Sequence, residues 1–199
     1  MKLNDYKLIF VAVGLIAVLL FALPVLAQAI RAPSGEQFSE LYLLGPDLMA
    51  ENYPSNIVAD QNYTVHVGVG NHMGSSAYYT IYVKLRNQTD PLPNTTTATP
   101  SPLQPLYKYR FAIPDNQSLV NPVVFSVSGA STLGNQSIIK QITINNEKFN
   151  VNKSATWDSN STKFGYGLFF ELWLYDAPSN SIQFNSRFVS LQLNLTRTL

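Results

Sequence analysis

Hydrophobic and polar positions alternate with period two in block after block of this chain, and after residue 31 no segment sustains an apolar period of 3.6. Such alternation marks strands that turn one face to a core and the other to solvent. In Tyr79–Arg86 the odd positions are apolar, while the even ones end in Lys84 and Arg86. Tyr63, Val65, Val67 and Val69 alternate with Thr64, His66 and Gly68, and the two runs are joined by Asn71–Ser76, which contains Gly74. This spacing predicts a β-hairpin. Further strands are predicted over Phe38–Leu44, Leu106–Ile113, Pro122–Ser128, Ser137–Ile144, Gly167–Asp176 and Ile182–Leu195. About eight short strands between Gly, Pro, Asn and Ser clusters predict an all-β, immunoglobulin-like β-sandwich occupying residues 32–199.

Three segments depart from this pattern. In Leu168–Tyr175 both faces are apolar, as in a central strand covered on both sides or one bearing a binding surface, and Glu171 is the single acid within it. Glu171 is expected to face outward. Along Ile182–Leu195 the apolar phase shifts from Ile182, Phe184 and Phe188 to Val189, Leu191, Leu193 and Leu195, which predicts a β-bulge of one residue near Phe188. Residues 87–105 carry Pro91, Pro93, Pro100, Pro102 and Pro105. Proline cannot donate to a ladder, so this stretch is expected to be a long, extended, exposed loop that packing does not order.

Ahead of the strands, the 23 residues from Leu8 to Ile30 contain no charge; Lys2 and Lys7 precede them and Arg31 follows. A bilayer needs about 20 apolar residues in a helix. Residues 1–31 are therefore expected to be a transmembrane signal anchor in contact with membrane lipid through residues 8–30, or a signal peptide cleaved near Ala27-Gln28-Ala29. Either way the remainder is expected outside the membrane, anchored by a single pass or secreted.

Composition strengthens that placement. Acceptor triplets for N-glycosylation begin at Asn62, Asn87, Asn94, Asn116, Asn135, Asn152, Asn160 and Asn194. Cysteine is absent, so no disulfide contributes and the core must carry the stability itself. Lys and Arg number 13 against 12 Asp and Glu, and removing residues 1–30 leaves 11 against 11. Nothing in that balance steers the chain toward nucleic acid.

Catalytic chemistry has little to work with. The two histidines are His66, on the polar side of a strand, and His72, in a turn, and neither sits near a carboxylate cluster. Asp158-Ser159-Asn160 has oxygen ligands but lacks the glycine and terminal glutamate of a calcium loop. No catalytic residue, cofactor or metal is expected. The reading is a cell-surface accessory or binding domain whose partner is an envelope protein, a glycan or another subunit. The alternative is a filament or surface-layer subunit that assembles by donating an N-terminal strand to a neighbour.

The run Phe38–Pro54, the strand pair Val65–His72 and Tyr79–Leu85, and Phe169–Leu174 resemble the domain-of-unknown-function 1616 family, with the first run the specific part. The resemblance implies a membrane-associated extracytoplasmic domain, archaeal in most members, and supplies no catalytic residues. Longer members of that family resemble a bundle of membrane helices followed by this domain, whereas here there is one hydrophobic segment.

Overall fold

The structure is a computed structural model that describes residues 4–29, 36–159 and 163–195. The chain divides into two compact units, residues 1–37 and 38–199. In the first, the uncharged N-terminal segment forms a helix, α1 (Asn4–Ala29). Its apolar side chains face outward, with Phe10 73 % and Phe21 81 % exposed. Among the described residues no helix is long and apolar enough to cross a membrane.

The second unit is built from β1 (Phe38–Leu44), β2 (Asn56–Ile57), β3 (Tyr63–His72), β4 (Ala77–Asn87), β5 (Tyr107–Ile113), β6 (Gln117–Ser128), β7 (Ser131–Leu133), β8 (Gln136–Ile144), β9 (Glu147–Asp158), β10 (Lys163–Asp176) and β11 (Ser181–Leu195). One ladder runs β1-β3-β6-β8-β9, with β7 paired to β8, and a second runs β5-β4-β10-β11-β2. They join where Asp158 and Trp157 of β9 pair with Lys163 and Phe164 of β10. Every pairing is antiparallel except β2 with β11. The result is a mostly β unit whose sheet curls on itself.

Alternation explains the curl. The odd residues of β3 and β4 and the even residues of β10 all turn inward, so Val65, Val67, Ile81, Val83, Leu168 and Phe170 are fully buried in one core shared by both ladders. Each such side chain stabilises the fold by roughly 1.5–3 kcal/mol relative to exposure. The β3–β4 hairpin forms where the sequence predicts it. Its turn is organised by buried Asn71, whose Nδ2 donates to the Ser75 and Ile113 carbonyls and whose Oδ1 accepts from Met73 N and Tyr79 Oη. Ser39 Oγ meets the same Tyr79 hydroxyl at 2.8 Å, tying β1 into the network.

Four expectations need correction. β9 was not foreseen. Its inward residues Phe149, Val151, Ala155 and Trp157 alternate with Asn, Ser and Thr, and it is joined to β8 by Asn145 and Asn146, both at positive φ as a tight two-residue hairpin turn requires. The bulge in β11 lies at Asn185–Ser186, between the pairs Leu172↔Arg187 and Trp173↔Phe184, and inserts two residues rather than one. An even insertion keeps parity. Phe184 and Phe188 therefore share the outer face with Trp173 and Glu171, and the change of apolar phase reflects a second apolar surface on that face.

The third and fourth corrections concern one feature. Residues 87–105 are exposed at Thr95–Thr99, but Pro93 and Ser101 are buried, Ser101 against Glu171 and Lys84 on the outer face of the second ladder. Glu171 is 0 % exposed and ion-paired: its Oε2 lies 2.8 Å from Lys84 Nζ and accepts from Trp173 Nε1, while its Oε1 accepts from Ser101 N. Lys84 Nζ in turn donates to the Ser101 carbonyl. Proline bars the loop from the ladder, yet one buried charge pair straps it down.

Candidate functional site

A groove of about 570 Å³ runs along the seam where β1 faces β11. Three consecutive residues of β1, Leu41, Tyr42 and Leu43, line one side, and four consecutive residues of β11, Val189 to Gln192, line the other. Consecutive residues point to alternate faces, so the groove follows the strand edges rather than either face. Among the described residues β1 pairs only with β3, and β11 beyond β10 meets only the two residues of β2, so no ladder joins the two strands across the seam.

The wall above β1 is built by the chain's most distinctive local sequence. After β1, Gly45 N donates to the Met49 carbonyl at 2.6 Å and Leu48 N to the Gly45 carbonyl at 3.2 Å, closing a tight loop. A Cβ on Gly45 would overlap the Glu51 carbonyl, so only glycine fits. Leu48 and Asn52 take φ of 60° and 55° as the chain reverses. Tyr53 then reaches back, its hydroxyl donating to the Leu43 carbonyl at 2.7 Å, and stands with Ser55 in the groove wall. The Tyr42 ring occupies the space left by the absent side chain of Gly68, its partner across the ladder.

The groove holds no Asp, Glu, His, Lys or Arg. It offers apolar surface, two tyrosine rings with their hydroxyls, two serines and a glutamine amide. The histidines lie elsewhere. His66 Nδ1 is 3.0 Å from the Gly45 carbonyl, where it braces the loop, and His72 stacks on Phe38 at 4.6 Å with its Nδ1 3.3 Å from Asn116 Oδ1. Glu171 is committed to the strap. Among the described residues no group of three or more His, Cys, Asp or Glu is placed to hold a metal ion.

The structure spreads the candidate glycosylation residues over the surface. Asn62, Asn94, Asn116, Asn135 and Asn152 are exposed, the first four on turns or loops and Asn152 at a bulge in β9 with φ of 44°. Two are engaged. Asn87 is half-buried with Nδ2 donating to the Ser154 carbonyl at 2.8 Å, and Asn194 is half-buried with Nδ2 donating to Asn56 Oδ1 at 2.9 Å. Asn160 lies outside the described residues. The groove itself was missed because strand edges carry no periodic signal, although the unusual run from Gly45 to Pro54 marked its wall.

A family described as "Domain of unknown function (DUF1616)" matches residues 32–163. The chain belongs to this family. The match takes in the Gly45 loop, the β3–β4 hairpin and the strap, and ends at the first residue of β10. No curated protein matches. Among solved structures, a beta-glucosidase from Listeria innocua in complex with glucose aligns over 82 % of this chain at 9 % identity with a TM-score of 0.42. A beta-D-glucoside glucohydrolase from Trichoderma reesei aligns over 81 % at 13 % identity with a TM-score of 0.32. The chain spans 17 % and 19 % of those two proteins, and at such scores the likeness lends nothing to function.

Proposed function

We propose that this chain is a membrane-anchored, N-glycosylated extracytoplasmic accessory domain, immunoglobulin-like in architecture, that binds an envelope partner and performs no catalysis of its own. The observation that carries the reading is the β1–β11 groove, large, apolar and free of ionisable side chains other than tyrosine. Supporting the location are the uncharged run from Leu8 to Ile30, the outward apolar side chains of α1, and five exposed acceptor asparagines. Two ladders sharing one core support the sandwich architecture.

The test is mass spectrometry of the full chain from its native membrane, combined with photo-crosslinking from position 42 in the groove and from exposed Leu133 as control. The reading expects residues 1–30 retained, sugar on the exposed asparagines, and one defined adduct from position 42 that excess unlabelled full-length protein competes away. A mature chain starting near Gln28, without sugar and without a competed adduct, refutes it.

A second reading, donation of an N-terminal strand by a neighbouring copy, is favoured by the seam between β1 and β11, which no ladder joins. Geometry sets a condition on it. The two strands approach to Cα separations of 8 Å or less. A strand inserted between them needs two spacings of about 4.8 Å each, so the seam must widen by at least about 2 Å. Self-adducts from position 42 in the same experiment distinguish this reading.

A further inference from the structure

The β1–β11 groove is where the shared core reaches the surface. Leu41 and Leu43 of β1 and Val189 of β11 are partly buried side chains packed on the core, and all three line the groove. Val189 and Leu191 turn to that side because their ladder partners, Phe170 and Leu168, belong to the core. Arg187 pairs with Leu172, a further core residue, so the same alternation sets its side chain on that side, two residues before Val189.

Arg187 also lies toward Ser39 on the opposite wall. Burial pushes the Tyr79 hydroxyl above its usual value, and the positive charge of Arg187 works against that shift. The same hydroxyl meets Ser39 Oγ at 2.8 Å, and Ser39 stands two residues before Leu41. Ser39 and Arg187 therefore mark one end of the groove. Tyr53 and Ser55, whose carbonyl accepts from Asn194 N, mark the other. Arg187 is exposed, and among the described residues it makes no ion pair or hydrogen bond. Asp115, the acid that also acts on Tyr79, is committed to Gly74 N and Asn116 Nδ2. An apolar floor thus ends at one cation without a counter-charge.

We propose that the groove holds one hydrocarbon chain of an anionic membrane lipid, with the head group at Arg187. The proposal rests on the reading of the groove as a binding site in a membrane-anchored chain, and names its occupant. Its length suits such a chain. Arg187 to Gln192 covers five strand spacings of about 3.3 Å, roughly 17 Å, and a lipid chain spans half the hydrocarbon core of a bilayer, about 15 Å. Width favours lipid over polypeptide. A strand must open the seam by at least about 2 Å to form its ladders, whereas a hydrocarbon chain forms none and gains by burial against Leu41, Leu43, Val189 and Leu191. One charged group at the end of an apolar site fixes which way the ligand lies.

The test reconstitutes the full chain in phosphatidylcholine vesicles that carry a trace of phosphatidic acid with a photoreactive diazirine on one chain, and maps the adducts by peptide mass spectrometry. Adducts are expected on the peptides holding Leu41–Leu43 and Val189–Gln192. Arg187→Gln lowers that labelling about fivefold, the effect of one basic residue on an anionic head group, and Arg187→Lys retains it. A phosphatidylcholine probe with the same diazirine labels these peptides about fivefold less than the anionic probe in the parent and equally in Arg187→Gln. Labelling confined to α1, or groove labelling indifferent to head-group charge and to Arg187→Gln, overturns the proposal. A groove bare of lipid whose position 42 still gives the competed protein adduct overturns the lipid alone, and a groove that yields neither overturns the partner reading with it.

Discussion

Replacing Glu171 by Gln removes one charge and changes almost nothing in size. In the native chain Lys84 Nζ and Glu171 Oε2 are 2.8 Å apart, with side chains 4 % and 0 % exposed. At an effective dielectric constant of about 20, their gross attraction is roughly 6 kcal/mol, most of it offset by the cost of taking both charges out of water. Deleting one partner leaves that cost standing for the other, so Glu171→Gln should destabilise by about 3–5 kcal/mol. Against a total stability of about 5–15 kcal/mol this is a large share. For a domain of this size each kcal/mol is worth about 2–4 °C, so the midpoint should fall by roughly 6–20 °C in scanning calorimetry. Lys84 also holds the Ser101 carbonyl, and Glu171 the Ser101 amide, so the strap should loosen before the sheet melts. Limited proteolysis should then cut within the exposed Thr95–Thr99 segment in Glu171→Gln under conditions that leave the parent intact. Replacing both members, Lys84→Met with Glu171→Leu, should recover global stability relative to the single variant while the strap stays cleavable. An unshifted midpoint in Glu171→Gln, with a protease-resistant strap, would refute the reasoning.

Three further outcomes follow from the same structure. Burial alone would raise the pKa of Asp90, but hydrogen bonds from Lys153 and the Asn87 amide, with the charges of Lys153 and Arg86, hold it below the ordinary carboxylate range. Its contribution is therefore present above about pH 4 and lost as pH falls through the lowered value, so urea midpoints of parent and Asp90→Asn should differ at pH 7 and converge toward pH 3. Burial pushes the hydroxyls of Tyr79, Tyr109 and Tyr166 above the usual tyrosine value. The neutral forms are favoured in the fold, so stability should hold to about pH 10 and decline above it, with ellipticity lost as these three ionise together in tyrosinate absorbance. Gly45→Ala would drive a methyl into the Glu51 carbonyl; it should cost about 1–3 kcal/mol in chemical denaturation.

Strands that the sequence announced did so through alternation of large apolar side chains. β1 is bounded as the pattern predicts, and β10 and β11 lie within a few residues of it. β9 escaped because half of its length alternates small and polar residues with few large ones, and its hairpin turn is Asn-Asn rather than a glycine pair. The strap shows a different limit. Proline content excluded residues 87–105 from the ladder, which holds for all but Asn87, the last residue of β4, but what orders that segment is a lysine and an acid 87 positions apart in sequence that register places side by side, Glu171 beside the Tyr82 position and Lys84 beside Phe169. No local window contains both. The groove is of the same kind, since an edge is defined by which strand is missing beside it, and that is a property of topology.

The pairing of β2 with β11 carries a consequence for time rather than structure. Asn56 and Asn194, hydrogen-bonded across the parallel bridge, are 138 residues apart in the chain. β1 likewise faces β11 across the seam, so β1 and β2 cannot reach these neighbours until β11 has been synthesised. Contacts of such long span are slow to form. Until then the edges of β1 and the core faces of β3 and β4 stand exposed, in the state where unpaired strands most readily find foreign ones. A polypeptide arranged this way closes only once β11 has been made, and its early strands stand open for that whole interval.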